Sequence, residues 1–185
     1  LLTVRATGAT LLGQIFAENA MPTTIREMRP KDARAFLEVH HAAAHGIAGQ
    51  DYPSAVIEAW APLPITDRHV ERVLSNPDHE YRVIAEINGL IAGIGALVLK
   101  NAELCACYVA PNASRKGVGS LIMREIERAA RQHGVKTLDL DATITAESFY
   151  ESLGYSVRER GEHVLQGGQL MACVKMYKVL VSRES

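Results

Sequence analysis

The sequence predicts a mixed α/β domain: one sheet with helices on both faces, in the order β-α-α-β-β-β-α-β-α-β-β. Three observations carry that expectation. Apolar runs at Glu80–Ile87 and Leu90–Lys100 meet at Asn88-Gly89, the dipeptide that tight two-residue hairpins favour. An apolar strand end at Cys107-Tyr108-Val109 breaks at Pro111-Asn112, turns through Ser114–Gly119 and enters a long helix. Capped helical stretches and further short apolar runs flank this block, so strand and helix signals interleave along the chain.

In order, Thr24–Arg29 reads as a first strand ended by Pro30. Asp32 is placed to cap the helix that follows, which holds Ala33, Phe36, Leu37 and Val39 and ends near Gly46 and Gly49. Ser54–Trp60 is a short helix capped by Ser54, and Thr66–Leu74 a further helical piece capped by Thr66. The hairpin strands come next, with Gly93 and Gly95 marking a bulge or a close approach in the second of them. Ala102–Val109 is a third consecutive strand. The long helix keeps Val118, Leu121, Ile122, Ile126, Ala129 and Ala130 on one face, and Gly134 stops it. Lys136–Asp141 is a strand and Thr145–Leu153 a helix, and Tyr155–Arg160 with Gln169–Tyr177 form a closing pair.

Bulk properties narrow the function. The 185 residues suit one domain with a full core, and 48% apolar with 22% charged residues is ordinary for a globular chain. A formal net charge of -1 argues against nucleic acid or an anionic membrane as a partner, and no run approaches the ~20 apolar residues of a membrane span. Cys105, Cys107 and Cys173 have neither metal-ligand spacing nor a disulfide framework, so reducing cytoplasm is the expected compartment and no metal is expected. The leading residues 1–20 lack an initiating Met and a basic region, and they precede Met21-Pro22. They read as an upstream extension or cloning remnant, or as a short amphipathic appendage packing on a neighbour, with 21–185 the single domain.

The chemistry concentrates at the strand–turn–helix. Unpaired N–H groups in a first helical turn, with the helix dipole behind them, form an anion site. Gly117 and Gly119 leave the backbone open to a phosphate, and Arg115 and Lys116 add positive charge. Taken alone, the same residues fit an ordinary loop with a solvated basic pair.

Ser114-Arg115-Lys116-Gly117-Val118-Gly119 resembles the acetyl-CoA-binding motif of the GNAT superfamily of N-acetyltransferases, Gln/Arg-x-x-Gly-x-Gly/Ala, with Ser114 departing at the first position. Downstream, Thr145-Ala146-Glu147-Ser148-Phe149-Tyr150-Glu151-Ser152-Leu153-Gly154-Tyr155 is similar to that family's Asn-Ala-x-x-Phe-Tyr-x-x-x-Gly-Phe segment. Thr145 replaces the usual Asn and Tyr155 the usual Phe. The two motifs stand in the family's order, and the resemblance covers roughly Thr23 to Leu180.

That resemblance implies a GNAT fold with a splayed central strand pair holding acetyl-CoA as cosubstrate. The expected cofactor-binding set is Cys107, Tyr108, Val109 and Ala110 for the pantetheine, Ser114, Arg115, Lys116, Gly117, Val118, Gly119 and Ser120 for the pyrophosphate, and Ala146, Phe149 and Tyr150 beside them. A main-chain N–H near Tyr108 or Val109 would serve as oxyanion donor. Tyr150 falls on the family's tyrosine position and is the expected acid for the leaving thiolate, the alternative being a packed aromatic next to Phe149. Glu103 matches the glutamate base of histone-acetylating members. It starts ~13 Å from the cofactor-contacting backbone, so a bulge or water relay is needed, and Asp139 and Asp141 are lesser alternatives. The same resemblance places the acceptor pocket among the first helices and the closing hairpin, with His41, His45 and Trp60 as substrate-side candidates.

The expected function is therefore a cytoplasmic N-acetyltransferase acting on a primary amine of a small molecule or peptide by direct attack. The alternatives are a non-catalytic acyl-CoA-binding module and a protein lysine or N-terminal acetyltransferase. Homodimerisation stays open.

Overall fold

A computed structural model describes residues 22–180, and the reading of residues 1–20 lies outside that range. The order is β1 (Thr24–Glu27), α1 (Ala33–Gly46), α2 (Ser54–Trp60), α3 (Asp67–Ser75), β2 (Tyr81–Ile87), β3 (Leu90–Val98), β4 (Glu103–Val109), α4 (Val118–Gln132), β5 (Thr137–Ala142), α5 (Glu147–Ser152), β6 (Ser156–Val164) and β7 (Leu170–Val179). These seven strands form one mixed sheet in the order β1-β2-β3-β4-β5-β7-β6. The fold is the expected one, with the Thr66–Leu74 piece standing as a full third helix between β1 and β2.

Alternation of side chains along the strands sorts the core into layers. Val83 and Ala85 pack with Ile122, Ile126 and Ala129 of α4, whereas Ile84 between them joins Phe36 and Val39 of α1 on the other face. A smaller cluster of Tyr52, Val56, Ile57 and Met171 seats α2 against β7. The hairpin turn has positive φ at both Asn88 (55°) and Gly89 (75°), the backbone that this dipeptide supplies at least cost.

Gly93 and Gly95 resolve as a close approach. A Cβ on Gly93 would lie 2.8 Å from Ile122 Cδ1 and 2.9 Å from Val118 Cγ1, and one on Gly95 would lie 2.5 Å from Ile122 Cγ2. Bare backbone on β3 thus lets α4 sink onto the sheet.

Two expected caps are corrected. Asp32 sits at the N-cap position of α1 but makes no side-chain cap bond to it. Its carboxylate instead accepts the Arg29 N–H (2.8 Å) and two bonds from the Arg26 guanidinium (2.7 and 3.1 Å). Arg26 also holds Glu86 at 2.6 Å, so a partly buried charge network ties β1 to β2 and to the start of α1. A buried carboxylate needs an opposite charge as well as donors, and the Arg26 guanidinium with the Arg29 N–H supplies both. At α2 the N-cap is Pro53, and Ser54 is the first helical residue. No helix among the described residues is long and apolar enough to cross a membrane.

Gly95→Ala should therefore destabilise the protein by about 2 kcal/mol through overpacking against Ile122. Urea denaturation checks it, and an unchanged midpoint would mean that α4 does not rest on this strand as described.

Candidate active site

The site is a place where the sheet stops pairing. β4 and β5 run parallel, yet only Glu103 and Leu104 of β4 find partners, in Asp139 and Leu140. Beyond them β5 follows β7 through six matched positions while β4 stays with β3. Between the diverging strands lies a cleft of about 610 Å³.

Register decides which backbone groups face the gap. The Ala110 N–H donates to Ala92 O (2.9 Å), which makes this opposed couple a hydrogen-bonded one. Antiparallel couples alternate, so Tyr108 opposite Ile94 is bonded to β3, while Cys107 and Val109 turn their N–H and C=O groups towards the cleft. Of the two expected oxyanion donors, only Val109 thus has a free N–H. The N–H of Ala110 is already committed to β3. Upstream, Ala96 opposes Ala106 but Leu97 opposes Leu104, leaving Cys105 as the extra residue of a β-bulge.

The start of α4 closes one end of the cleft. Gly117 is its N-cap with φ +81°, Arg115 is also left-handed at φ +63°, and no side chain caps the helix. The first-turn N–H groups of Val118, Gly119 and Ser120 are therefore without intrahelical acceptors. Nothing lies within 4 Å of a Cβ placed on Gly117, whereas a Cβ on Gly119 would press to 3.0 Å from Phe149 Cζ. One glycine serves backbone conformation and open space, the other lets α5 pack against α4. Ser114, Arg115 and Gly117–Ser120 line the cleft, as do Ala146 at the N-cap of α5 and Phe149 and Tyr150 within it. This donor-rich hollow, left open at Gly117, fits a pyrophosphate, and the open edge of β4 fits an amide-bearing arm. Lys116 does not line it, since its ammonium is turned back to Asn112 O (2.9 Å).

Tyr150 is buried, 6% exposed, and lies between Phe149 (ring centroids 5.1 Å apart) and Tyr155 (5.6 Å). Burial first, then the neighbouring Cys107, Tyr108 and Tyr155, push its phenol well above the usual range, so it stays protonated at neutral pH. Burial likewise pushes the Cys107 thiol up to about 12, which leaves that sulfur an inert wall atom.

Glu103 lies at the paired end of β4, opposite Val98 and Asp139, and is not among the cleft-lining residues. The carboxylate on the wall is Asp141, near the end of β5, whose Oδ2 accepts from or pairs with His163 Nδ1 at 3.0 Å. Asp139 is bound instead by Arg158 (2.7 Å). His163 carries no signal of its own in the sequence, because its contact depends on the β5–β7–β6 register.

On the opposite side, Trp60 and Tyr108 line the cleft with Ala43, Ile47 and Ala48. Their rings are 5.8 Å apart, and His40 stands against both, 4.7 Å from Tyr108 and 5.5 Å from Trp60. Burial and the neighbouring His41 and His45 bring the His40 pKa down to about 3, so the ring is neutral. Neither His41 nor His45 lines the cleft. His41 is buried with Nδ1 unpartnered, and His45 Nε2 lies 2.8 Å from Ala61 O, joining the end of α1 to the end of α2. The helical stripe Phe36, His40, Ala43, Ile47 would have singled out His40, because those spacings share one face. Tyr52, also without a motif, donates to Ala172 O (2.7 Å) and accepts from the Ile144 N–H (2.8 Å).

Among the described residues no group of three or more His, Cys, Asp and Glu is placed to hold a metal ion.

Comparison with known proteins agrees with this architecture. A GCN5-related N-acetyltransferase from Rhodopseudomonas palustris, described as a class-II aminotransferase, is 25% identical, with 86% of this chain and 98% of that one covered at a TM-score of 0.77. PaiA N-acetyltransferase from Thermoplasma acidophilum, solved with coenzyme A, is 21% identical over 86% of this chain and 99% of that one, at 0.67. Ribosomal-protein-alanine N-acetyltransferase from Brucella melitensis is 23% identical over 85% and 99%, at 0.62. These last two share the fold. The family model for the acetyltransferase (GNAT) domain matches residues 48–177. With well over half of its length inside that match, the chain belongs to the GNAT acetyltransferase family, whose reaction is acyl transfer from acetyl-CoA.

Proposed function

We propose that this protein acetylates a primary amine carrying an apolar or aromatic substituent, by direct attack of the amine on acetyl-CoA. The observation that carries the acceptor half of this reading is the asymmetry of the cleft. Trp60, Tyr108, Ile47 and Ala43 make one wall apolar, while Asp141 supplies a carboxylate on the wall contributed by β5.

Acetyl-CoA supplies the activated acyl group. Its pyrophosphate would be held by the first turn of α4 and by Arg115, and its pantetheine amides by the outward groups of Cys107 and Val109. The Val109 N–H polarises the acyl carbonyl. Asp141, oriented by His163, holds the incoming ammonium and passes its surplus proton to water. Tyr150, kept protonated by its buried setting, donates to the thiolate as it leaves and regains a proton from the second N–H that the nitrogen sheds as the amide forms. Asp141 takes the place expected for Glu103, which would need a relay to reach the cleft.

The test measures release of CoA thiol from acetyl-CoA across a panel of aliphatic, aromatic and peptidic amines. Tyr150→Phe should lower kcat by about tenfold or more, as for loss of a general acid, while acetyl-CoA affinity holds. Asp141→Asn should act mainly on the KM of the amine. Turnover that is unchanged in Tyr150→Phe removes that residue from the mechanism. Binding of acetyl-CoA without turnover on any amine, including N-terminal peptides, would instead mark a binding module. Gly119→Val, which places a branched side chain between the α4 turn and Phe149, should weaken acetyl-CoA binding at least about tenfold, or ~1.4 kcal/mol, by isothermal titration.

A further inference from the structure

The far edge of the sheet carries an unusual strand. β6 is the terminal strand among the described residues, nine residues long, and exposed at every position but Gly161. Exposed edges of that length invite pairing with another chain, and charge is the usual protection. Here the charges are ordered: Glu159, Arg160, Gly161, Glu162, His163.

That order is its own complement when reversed. We propose that β6 pairs antiparallel with β6 of a second copy of this chain, about a two-fold axis through Gly161. A two-fold perpendicular to the sheet sets residue 161+k opposite residue 161−k of the other copy. Arg160 then faces Glu162, and Glu159 faces His163, twice each by symmetry. Moving the axis to Arg160 or Glu162 sets like charges directly against each other at the centre, which is destabilising. Among these registers only the one centred on Gly161 sets no like charges opposite each other.

The side-chain layout supports this register. Glu159 and His163 share one face, where they bind Lys175 (2.8 Å) and Asp141 (3.0 Å) respectively. Pairing of two copies joins these couples into a continuous row, Asp141–His163–Glu159–Lys175, that crosses the interface. Arg160 and Glu162 share the other face. Arg160 binds Glu147 (2.6 Å), whereas Glu162 has no ion-pair partner among the described residues, and the second copy supplies one. Gly161 brings no side chain to the axis. An irregularity between Val157 and Glu159 ends the straight part of the strand, so the segment paired about the axis is Glu159–His163. Mixed charge excludes foreign strands while admitting this one. The pairing also reaches the cleft: Glu159 of the second copy stands beside the imidazole that holds Asp141.

The test is sedimentation of the purified full chain from micromolar to submillimolar concentration, where a monomer–dimer equilibrium is expected. Glu162→Arg, which breaks no ion pair inside the chain, and Arg160→Glu each create two like-charge couples across the axis. Each alone should weaken dimerisation at least about tenfold. Mixed together, the two variants face each other with every charge matched and should form a heterodimer about as tight as the parent. Circular dichroism melts confirm that both are folded. A parent that stays monomeric throughout, single variants that dimerise like the parent, or a mixture that does not recover would each overturn the proposal.

Discussion

The backbone of β4 beyond Leu104 has hydrogen-bonding groups on one side and no strand to receive them. Nearly every buried peptide group in a folded protein is paired, so leaving Cys107 and Val109 open on a cleft wall is a cost that only water or a ligand can offset. The remainder of the molecule holds that gap apart. β3 grips β4 from one side, β7 draws β5 away from the other, and the Cys105 bulge adds twist where the two strands part.

A gap alone would bind nothing selectively. The first turn of α4 has to arrive at its mouth, and the two glycines of β3 fix how deeply the helix lies. Ile122 and Val118 occupy the volume that side chains at Gly93 and Gly95 would otherwise fill. The helix dipole and the three free N–H groups are thus aimed by packing some distance from the ligand. Phe149 completes the arrangement by resting on Gly119, which brings Tyr150, the next residue, into the same cavity. Cradle and phenol are set by one contact.

Local rules made most of this visible in the chain. Asn88-Gly89, the period of Val118–Ala130 and the two glycine-bearing motifs each report on residues close in sequence, and the fold followed. Long-range register was not visible. That Asp141 lines the cleft with His163 behind it, while Glu103 stays with the paired ends, depends on how three strands slide against one another. The histidines went astray for a related reason. The family resemblance pointed to His41 and His45, but the apolar stripe of α1 runs through His40, and it is the position of β4 that sets Tyr108 against that ring. Asp32 likewise looked like a helix cap until Arg26, six residues earlier, claimed its carboxylate.

The hydroxyl of Tyr52 touches two distant pieces of chain at once, the carbonyl of Ala172 on β7 and the N–H of Ile144 just after β5. Thr145 Oγ1, one residue further on, binds Asp51 Oδ2 at 2.6 Å. The segment leading into α2 is thereby stitched to the loop that begins the Tyr150 motif. The residues around Trp60 thus form a panel that can change on its own while this fastening keeps it aligned. Grafting that panel between related chains would preserve the shape of the cleft only if the fastening travels with it.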